Sequence, residues 1–336
     1  MSATKMYNWA VLGCGKIARK FVGDLKLLPN AKLYAAAARE LSRAQEFASE
    51  FGFETAYGSY EALVQDPNVD VIYIATPHSH HREHALLCLR NKKAVLCEKA
   101  LAINSNEVEE MMECARENNT FFMEAFWTMF QPSYRKAMDI LRSGELGKIK
   151  IVRSDFAFNA PYLEDKRLYN IKLGGGSLLD IGIYPVFAAL TSLGLPETIK
   201  TFADFSPTGS EESISVICKY EDGAMANLTS SFSSYSPTQT EYFCEKGYMV
   251  LNPRWFTPTH ITVWKEGDEV STYPNNHKEG WGYQYEAEHV MECLDQNWIE
   301  SPLMSWQMSR NLMKFLDRIR IDAGIFFPDH DTNLFF

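Results

Sequence analysis

Short apolar runs alternate with amphipathic stretches through the first third of the chain, and that alternation predicts its architecture. Residues 8–12 form an apolar run that leads directly into Gly13-Cys14-Gly15-Lys16-Ile17-Ala18. Ile17, Phe21, Leu25 and Leu28 then recur at helical spacing. Further apolar runs at 33–38, 55–57, 71–75, 94–97 and 121–125 are separated by helical patterns at 42–51, 60–65, 80–91 and 105–118. Strands that are apolar on both faces need cover on both sides, which means a parallel sheet with crossover helices. The strand order 3-2-1-4-5-6 is the natural solution.

After about Phe126 the pattern changes. A helix over 133–143 stops at Gly144, and alternating strands are expected at 148–158, 199–205, 213–220, 224–233, 241–244, 248–251 and 260–264. Turn signals at Glu221-Asp222-Gly223 and Glu245-Lys246-Gly247 separate some of them, and helices return at 282–297 and 306–321. The expected fold is α/β with two domains. Residues 1–126 form a Rossmann domain with a doubly wound parallel sheet. Residues 127–336 form an α+β domain with a large, mostly antiparallel open sheet. A length of 336 residues agrees, being too great for one ordinary core.

Charge and cysteine usage narrow the partners. The chain holds 33 Lys and Arg against 43 Asp and Glu, a net charge of −10, so neither nucleic acid nor an anionic membrane is an expected partner. No apolar run approaches the ~20 residues that span a bilayer. The first strand begins almost at once, without a secretory pattern. The seven cysteines are odd in number and contain no C-x-x-C pair, which predicts reduced thiols in a cytoplasm and no zinc site.

The chemistry gathers at strand ends. A strand that ends in G-x-G-x-x-A and opens a helix is a dinucleotide-binding turn. Gly13 permits the turn, Gly15 lets a pyrophosphate approach the backbone, and Cys14, Lys16 and Ile17 lie around it. The second strand ends at Ala38-Arg39-Glu40. A guanidinium suits a 2′-phosphate, which favours NADP over NAD, although Glu40 is within reach of a ribose. Thr76, Pro77 and His78 follow the fourth strand and are expected to line the nicotinamide ribose, with His81 beside the cofactor. His80, His81 and His84 are expected on a solvated helix face, and no metal site is expected because nothing pairs with them at ligand spacing. The fifth strand ends in Glu98-Lys99. From position alone, a cleft lysine and a salt-bridged strand-end pair are equally compatible. Finally, Gly174-Gly175-Gly176 precedes a helix in which Asp180 and Tyr184 share one face. Without Lys99 as a partner, that pattern reads as a Gly-rich loop with a surface Asp and a half-buried Tyr.

In order and spacing, Gly13 to Ala18, Thr76-Pro77-His78, Glu98-Lys99, Gly174-Gly175-Gly176 and Asp180-x-Gly182-x-Tyr184 resemble the glucose-fructose oxidoreductase / inositol dehydrogenase family. The resemblance extends through Gly282-Tyr283-x-Tyr285-Glu286 and Asp317-Arg318-Ile319-Arg320 and is strongest to the NADP-dependent dihydrodiol and D-xylose dehydrogenase branch. It implies an oxidoreductase that passes a hydride between NADP and a secondary hydroxyl of a sugar or cyclic diol. Tyr184 would be the acid/base, Lys99 would hold the substrate oxygen, and Asp180 would bind substrate or position Lys99. Trp127, Phe156, Asn159, Tyr162 and Tyr283 would surround the substrate. It also implies a homodimer or homotetramer through the C-terminal sheet. Two departures stand out. Ala100 replaces the family's usual Pro after the lysine, which predicts a looser or reshaped loop. Met129 lies where the branch often has Arg, which favours a neutral substrate over an acidic one. The family's periplasmic members carry a twin-arginine leader, and no such pattern opens this sequence. The competing expectation, a non-catalytic NADP-binding sensor, would fit a chain that had lost Lys99 or Tyr184.

Overall fold

The computed structural model describes residues 5–331. The chain divides into two compact units. The first comprises residues up to Ala102, Asn106–Trp127 and Glu279–Arg310. The second comprises Ile103–Ser105, Thr128–Lys278 and residues from Asn311 on.

In the first unit the alternation appears as expected: β1 (Tyr7–Leu12), α1 (Lys16–Leu25), β2 (Ala31–Ala37), α2 (Leu41–Phe51), β3 (Thr55–Tyr57), α3 (Tyr60–Gln65), β4 (Val71–Ile74), α4 (His81–Arg90), β5 (Ala94–Glu98), α5 (Ser105–Glu117) and β6 (Phe122–Ala125). The sheet is parallel, in the order β3-β2-β1-β4-β5-β6. Every residue of β4 and β5 is buried, which is why these strands read as unbroken apolar runs. Leu12 is level with Ala37 on one side and Ile74 on the other, and Ile74 is level with Cys97. The carboxyl ends of β1, β2, β4 and β5 therefore form one edge.

The second unit holds α6 (Pro132–Ser143), β7 (Ile149–Ala157), α7 (Ile183–Leu193), β8 (Thr198–Phe205), β9 (Glu211–Lys219), β10 (Met225–Ser231), β11 (Thr240–Cys244), β12 (Gly247–Leu251), β13 (Ile261–Lys265) and β14 (Ser271–Tyr273). These strands make one sheet, β14-β13-β12-β11-β7-β10-β9-β8, in which only β7 and β10 run parallel. Helix α7 is buried from Ile183 to Leu190. By length and composition residues 171–193 could cross a membrane, yet 94% of that apolar window is buried inside the protein. It is a core helix, which a soluble fold needs as much as a membrane one does.

A single cut at residue 126 does not describe this division. The last helices are α8 (Gln284–Asp295) and α9 (Trp306–Ala323), and residues 279–310 return to the first unit. Long-range hydrogen bonds explain the return. Phe122 N donates to Ile299 O at 3.0 Å, Trp306 Nε1 donates to Phe122 O at 2.9 Å, and Tyr7 OH donates to Asp295 Oδ1 at 2.6 Å. They complete the β6 edge of the parallel sheet and tie α8 to β1.

Candidate active site

The turn between β1 and α1 is shaped by its glycines. Gly13 has φ +100°, and a Cβ there would lie 3.0 Å from Thr76 Cγ2 and 3.2 Å from the Ala75 carbonyl. Gly15 precedes α1 in extended conformation, and no side chain caps the helix. The first turn also lacks acidic residues. Its N–H groups and positive dipole end thus remain available to an anion. A Cβ on Gly15 would approach only Ala75 O, at 3.8 Å. Lys16 is exposed and Ile17 half-buried beside it. Cys14 Sγ donates to Ala37 O at 3.5 Å, and burial pushes its thiol up to about 11, so it stays protonated near neutrality. At the end of β2, Ala38 is buried, and Arg39 and Glu40 are exposed. No ion pair involves Arg39 among the described residues.

Thr76 and Pro77 are half-buried after β4, and His78 is buried. The expected solvated histidine face is not found: His81 is 0% and His84 7% exposed. Thr76 Oγ1 lies 3.0 Å from His84 Nδ1. His81 Nδ1 lies 2.9 Å from Ala100 O, and Nε2 lies 2.8 Å from Thr76 O. Burial pushes His81 down to about 4, so the neutral ring donates to one of these carbonyls at a time. Both His81 nitrogens lie against backbone carbonyls, so it ties the end of β4 to the segment after Lys99. No group of three or more His, Cys, Asp or Glu is arranged to hold a metal among the described residues.

Lys99 is half-buried at the end of β5. The Lys99–Ala100 peptide after it is cis, and Ala100 is fully buried. Leu101 N donates to Glu124 Oε1 at 3.1 Å, and Glu124, pushed up to about 7 by burial, holds this loop from below. Glu98 accepts a short hydrogen bond from Tyr73 OH and a second, at 3.2 Å, from Lys99 N. Glu286 on α8 is fully buried with neither carboxyl oxygen hydrogen-bonded. Burial first, then the Glu98 and Asp24 charges, push its carboxyl well above the usual range, which favours the neutral acid. In the same unit Trp127 and Tyr283 stack, with ring centroids 4.1 Å apart and planes at 10°.

Tyr184 belongs to the second unit, in the first turn of α7. Asp180 precedes it in a π-helical turn, Leu178–Gly182, of the wider kind that often marks functional positions. Asp180 is not a surface residue: it is buried and accepts from both arms of Arg167, at 2.6 and 3.2 Å. This bidentate pairing was invisible in the sequence, where Arg167 lies in an unremarkable polar loop. Glu211 Oε1 accepts from Leu178 N, the first residue of the same turn. The Tyr184 ring is buried among Phe156, Phe256 and Trp255, at centroid distances of 5.6, 5.1 and 6.4 Å. Phe156 stacks on Phe256 at 4.4 Å, and Phe256 O accepts from Thr128 Oγ1 at 3.0 Å. Trp255 and Phe256 were missed; their only signal is an aromatic pair in a loop with a Pro before and after. Of the expected substrate residues in this unit, Phe156 joins Tyr184, Asn159 is exposed, and Tyr162 packs edge-on against Tyr169 at 4.9 Å.

Comparison with known proteins adds to this geometry. The model of the GFO/IDH/MocA oxidoreductase family, NAD-binding Rossmann fold, matches residues 7–126, and that of the GFO/IDH/MocA C-terminal domain matches 134–250. Trans-1,2-dihydrobenzene-1,2-diol dehydrogenase of Xenopus laevis is 38% identical over 331 residues, covering 96% of this chain and 99% of that protein. The Homo sapiens protein of that name is 37% identical over 330 residues, covering 96% and 98%. Among solved structures, the 3-ketoreductase KijD10 of Actinomadura kijaniata, in complex with NADP and TDP-benzene, superposes with a TM-score of 0.85 at 26% identity. It covers 95% of this chain and 98% of its own.

Proposed function

The chain belongs to the GFO/IDH/MocA oxidoreductase family and is an NAD(P)-dependent oxidoreductase acting on CH–OH groups; from that premise we propose that it transfers a hydride between NADP(H) and a secondary hydroxyl or carbonyl of a cyclic diol or sugar. One observation carries this reading. The register of the parallel sheet brings Gly13–Gly15, Arg39, Thr76–His78 and Lys99 to a single edge, where ligands bind in open α/β sheets. The residues fit the cofactor. The uncapped first turn of α1 and the open approach over Gly15 suit a pyrophosphate. Arg39 suits a 2′-phosphate. Thr76, His78, Glu98 and Lys99 would hold the nicotinamide ribose side. Bound NADP supplies the hydride acceptor, or in reduction the donor.

The remaining chemistry is the protein's own. In oxidation Tyr184 takes the hydroxyl proton. A free phenol has a pKa of about 10, so unassisted it is a poor base near neutrality and needs a cation's help. Lys99 supplies that charge and holds the substrate oxygen. The pair of Asp180 with Arg167 steadies the turn from which Tyr184 projects. The aromatic surroundings of Tyr184 support a ring-bearing, uncharged alcohol as substrate, as does Met129 in place of a cation. The seven free cysteines support a reducing compartment such as the cytoplasm. Self-association through the C-terminal sheet is supported by Phe202, Ile217 and Met225, which are 80%, 52% and 43% exposed on β8, β9 and β10.

The test is NADPH formation with a panel of cyclic trans-diols and aldoses. Tyr184→Phe and Lys99→Met should each lower turnover about 100-fold or more while NADP still binds. Near-wild-type turnover in both variants would remove the proton-transfer assignment.

A further inference from the structure

Helix α1 presents the cradle at its first turn and a buried acid at its last. Asp24 is 2% exposed. Its Oδ2 accepts from the backbone N–H groups of Trp281 (2.9 Å), Gly282 (2.8 Å) and Tyr283 (2.8 Å), and Oδ1 accepts from Trp281 as well (3.0 Å). Three successive peptide donors thus converge on one carboxylate. An ionised carboxyl, which only accepts, can serve all three; an amide would bring opposing donors. The approach is close. Gly280 has φ +81°, and a Cβ there would lie 2.5 Å from Asp24 Oδ1. Lys20, one turn earlier on α1, sets its Nζ 4.5 Å over the Trp281 ring. Gln284 braces the same segment, its Oε1 accepting from Gly282 N at 3.1 Å and its Nε2 donating to Glu279 O at 2.8 Å. The segment ends at Tyr283, whose ring lies flat on Trp127.

We infer that Asp24 is a positioning residue: by gathering the 281–283 amides it holds Tyr283 against Trp127 and so sets the aromatic wall that the diol or sugar meets. The inference rests on the reading that Trp127 and Tyr283 face substrate. Wall and cradle would then be two ends of one helix, and a change in Asp24 would move the wall while leaving the first turn intact.

Three variants test it: Asp24→Ala, Asp24→Asn and Gly280→Ala, which presses a methyl into the carboxylate. Hydrogen exchange at the 281–283 amides and the near-UV circular dichroism of the Trp127–Tyr283 pair are read without substrate. The KM for trans-1,2-dihydrobenzene-1,2-diol and the Kd for NADP follow. In Asp24→Ala, exchange at 281–283 should accelerate about tenfold or more and the aromatic signal should fall. The diol KM should rise about tenfold, with the NADP Kd held within about twofold. Asp24→Asn, which keeps an acceptor oxygen, should fall between, and Gly280→Ala should reproduce the loss. Unchanged exchange and dichroism in all three, or equal weakening of diol and NADP, would overturn the inference. Should the wild type oxidise no diol or sugar, the functional reading fails by itself. Exchange and dichroism then still decide whether Asp24 holds the wall.

Discussion

Glu211 offers a quantitative check on the turn that carries Asp180. It is 1% exposed; Oε1 accepts from Leu178 N, and Oε2 has no hydrogen-bond partner. Burial pushes its carboxyl from 4.5 up to about 7, against smaller lowering effects of the Leu178 amide, its own backbone and Arg320. The folded protein therefore binds this proton more tightly than the unfolded chain does. The stabilisation is complete below the unfolded value of 4.5 and is lost as pH rises toward about 7. Each pH unit in that interval costs about 1.4 kcal/mol, so the loss amounts to about 3 kcal/mol. Glu211→Gln keeps an oxygen for Leu178 N and cannot ionise. Its own packing cost is the same at both ends of the range. The measurement is urea unfolding of wild type and Glu211→Gln at pH 5 and pH 8. Part of the loss has already occurred by pH 5, so the variant should gain about 2 to 3 kcal/mol on the wild type between the two. Glu124 and Glu286 titrate in both proteins and cancel in the comparison. If wild type and variant change alike with pH, Glu211 is ionised in the folded state and the argument is refuted.

Three further expectations follow from other contacts. On the proposed role of Arg39 at a 2′-phosphate, Arg39→Ala should raise the KM for NADP about tenfold and leave that for NAD unchanged; parallel kinetics with both cofactors decide this. Arg167→Met should cost about 1–2 kcal/mol by removing the two hydrogen bonds that the guanidinium gives the buried Asp180 carboxylate. A double-mutant cycle with Asp180→Asn should return a coupling of about 1 kcal/mol, and a value near zero would mean the pair is idle. If the protein self-associates through the C-terminal sheet as proposed, Phe202→Glu on β8 should lower its mass in light scattering; an associated wild type with an unchanged variant mass would move the interface elsewhere, and a monomeric wild type would refute it.

Local pattern was enough for the elements and for the edge they share. The strands of the parallel sheet are buried on both faces, so they read as apolar runs, and Gly13-x-Gly15 announces the β1–α1 turn because the positive φ at Gly13 favours glycine and Gly15 leaves its backbone open to a ligand. Boundaries drifted by a residue or two: β2 runs Ala31–Ala37 where 33–38 was expected, and β14, three residues long and largely exposed, left no apolar signature. The candidate site divides along the same line. Lys99 and Tyr184 stood out at a strand end and after a Gly-rich turn, but their expected roles, like that of Phe156, came from the family resemblance. The burial of His81, the Arg167–Asp180 pair, the Asp24 amide nest and the aromatic cover from Trp255 and Phe256 were not.

By itself the sequence determined the two fold classes, the strand order of the parallel sheet and the dinucleotide-binding turn, since periodicity and turn residues act within a few positions of one another; the kind of reaction came from the family resemblance. Only the tertiary structure decided that residues 279–310 rejoin the first unit, and which acids and aromatics surround the lysine and the phenol. Those pairings link positions as far apart as Asp24 and Tyr283, and their energy depends on burial and hydrogen-bond partners that exist only once the chain has closed.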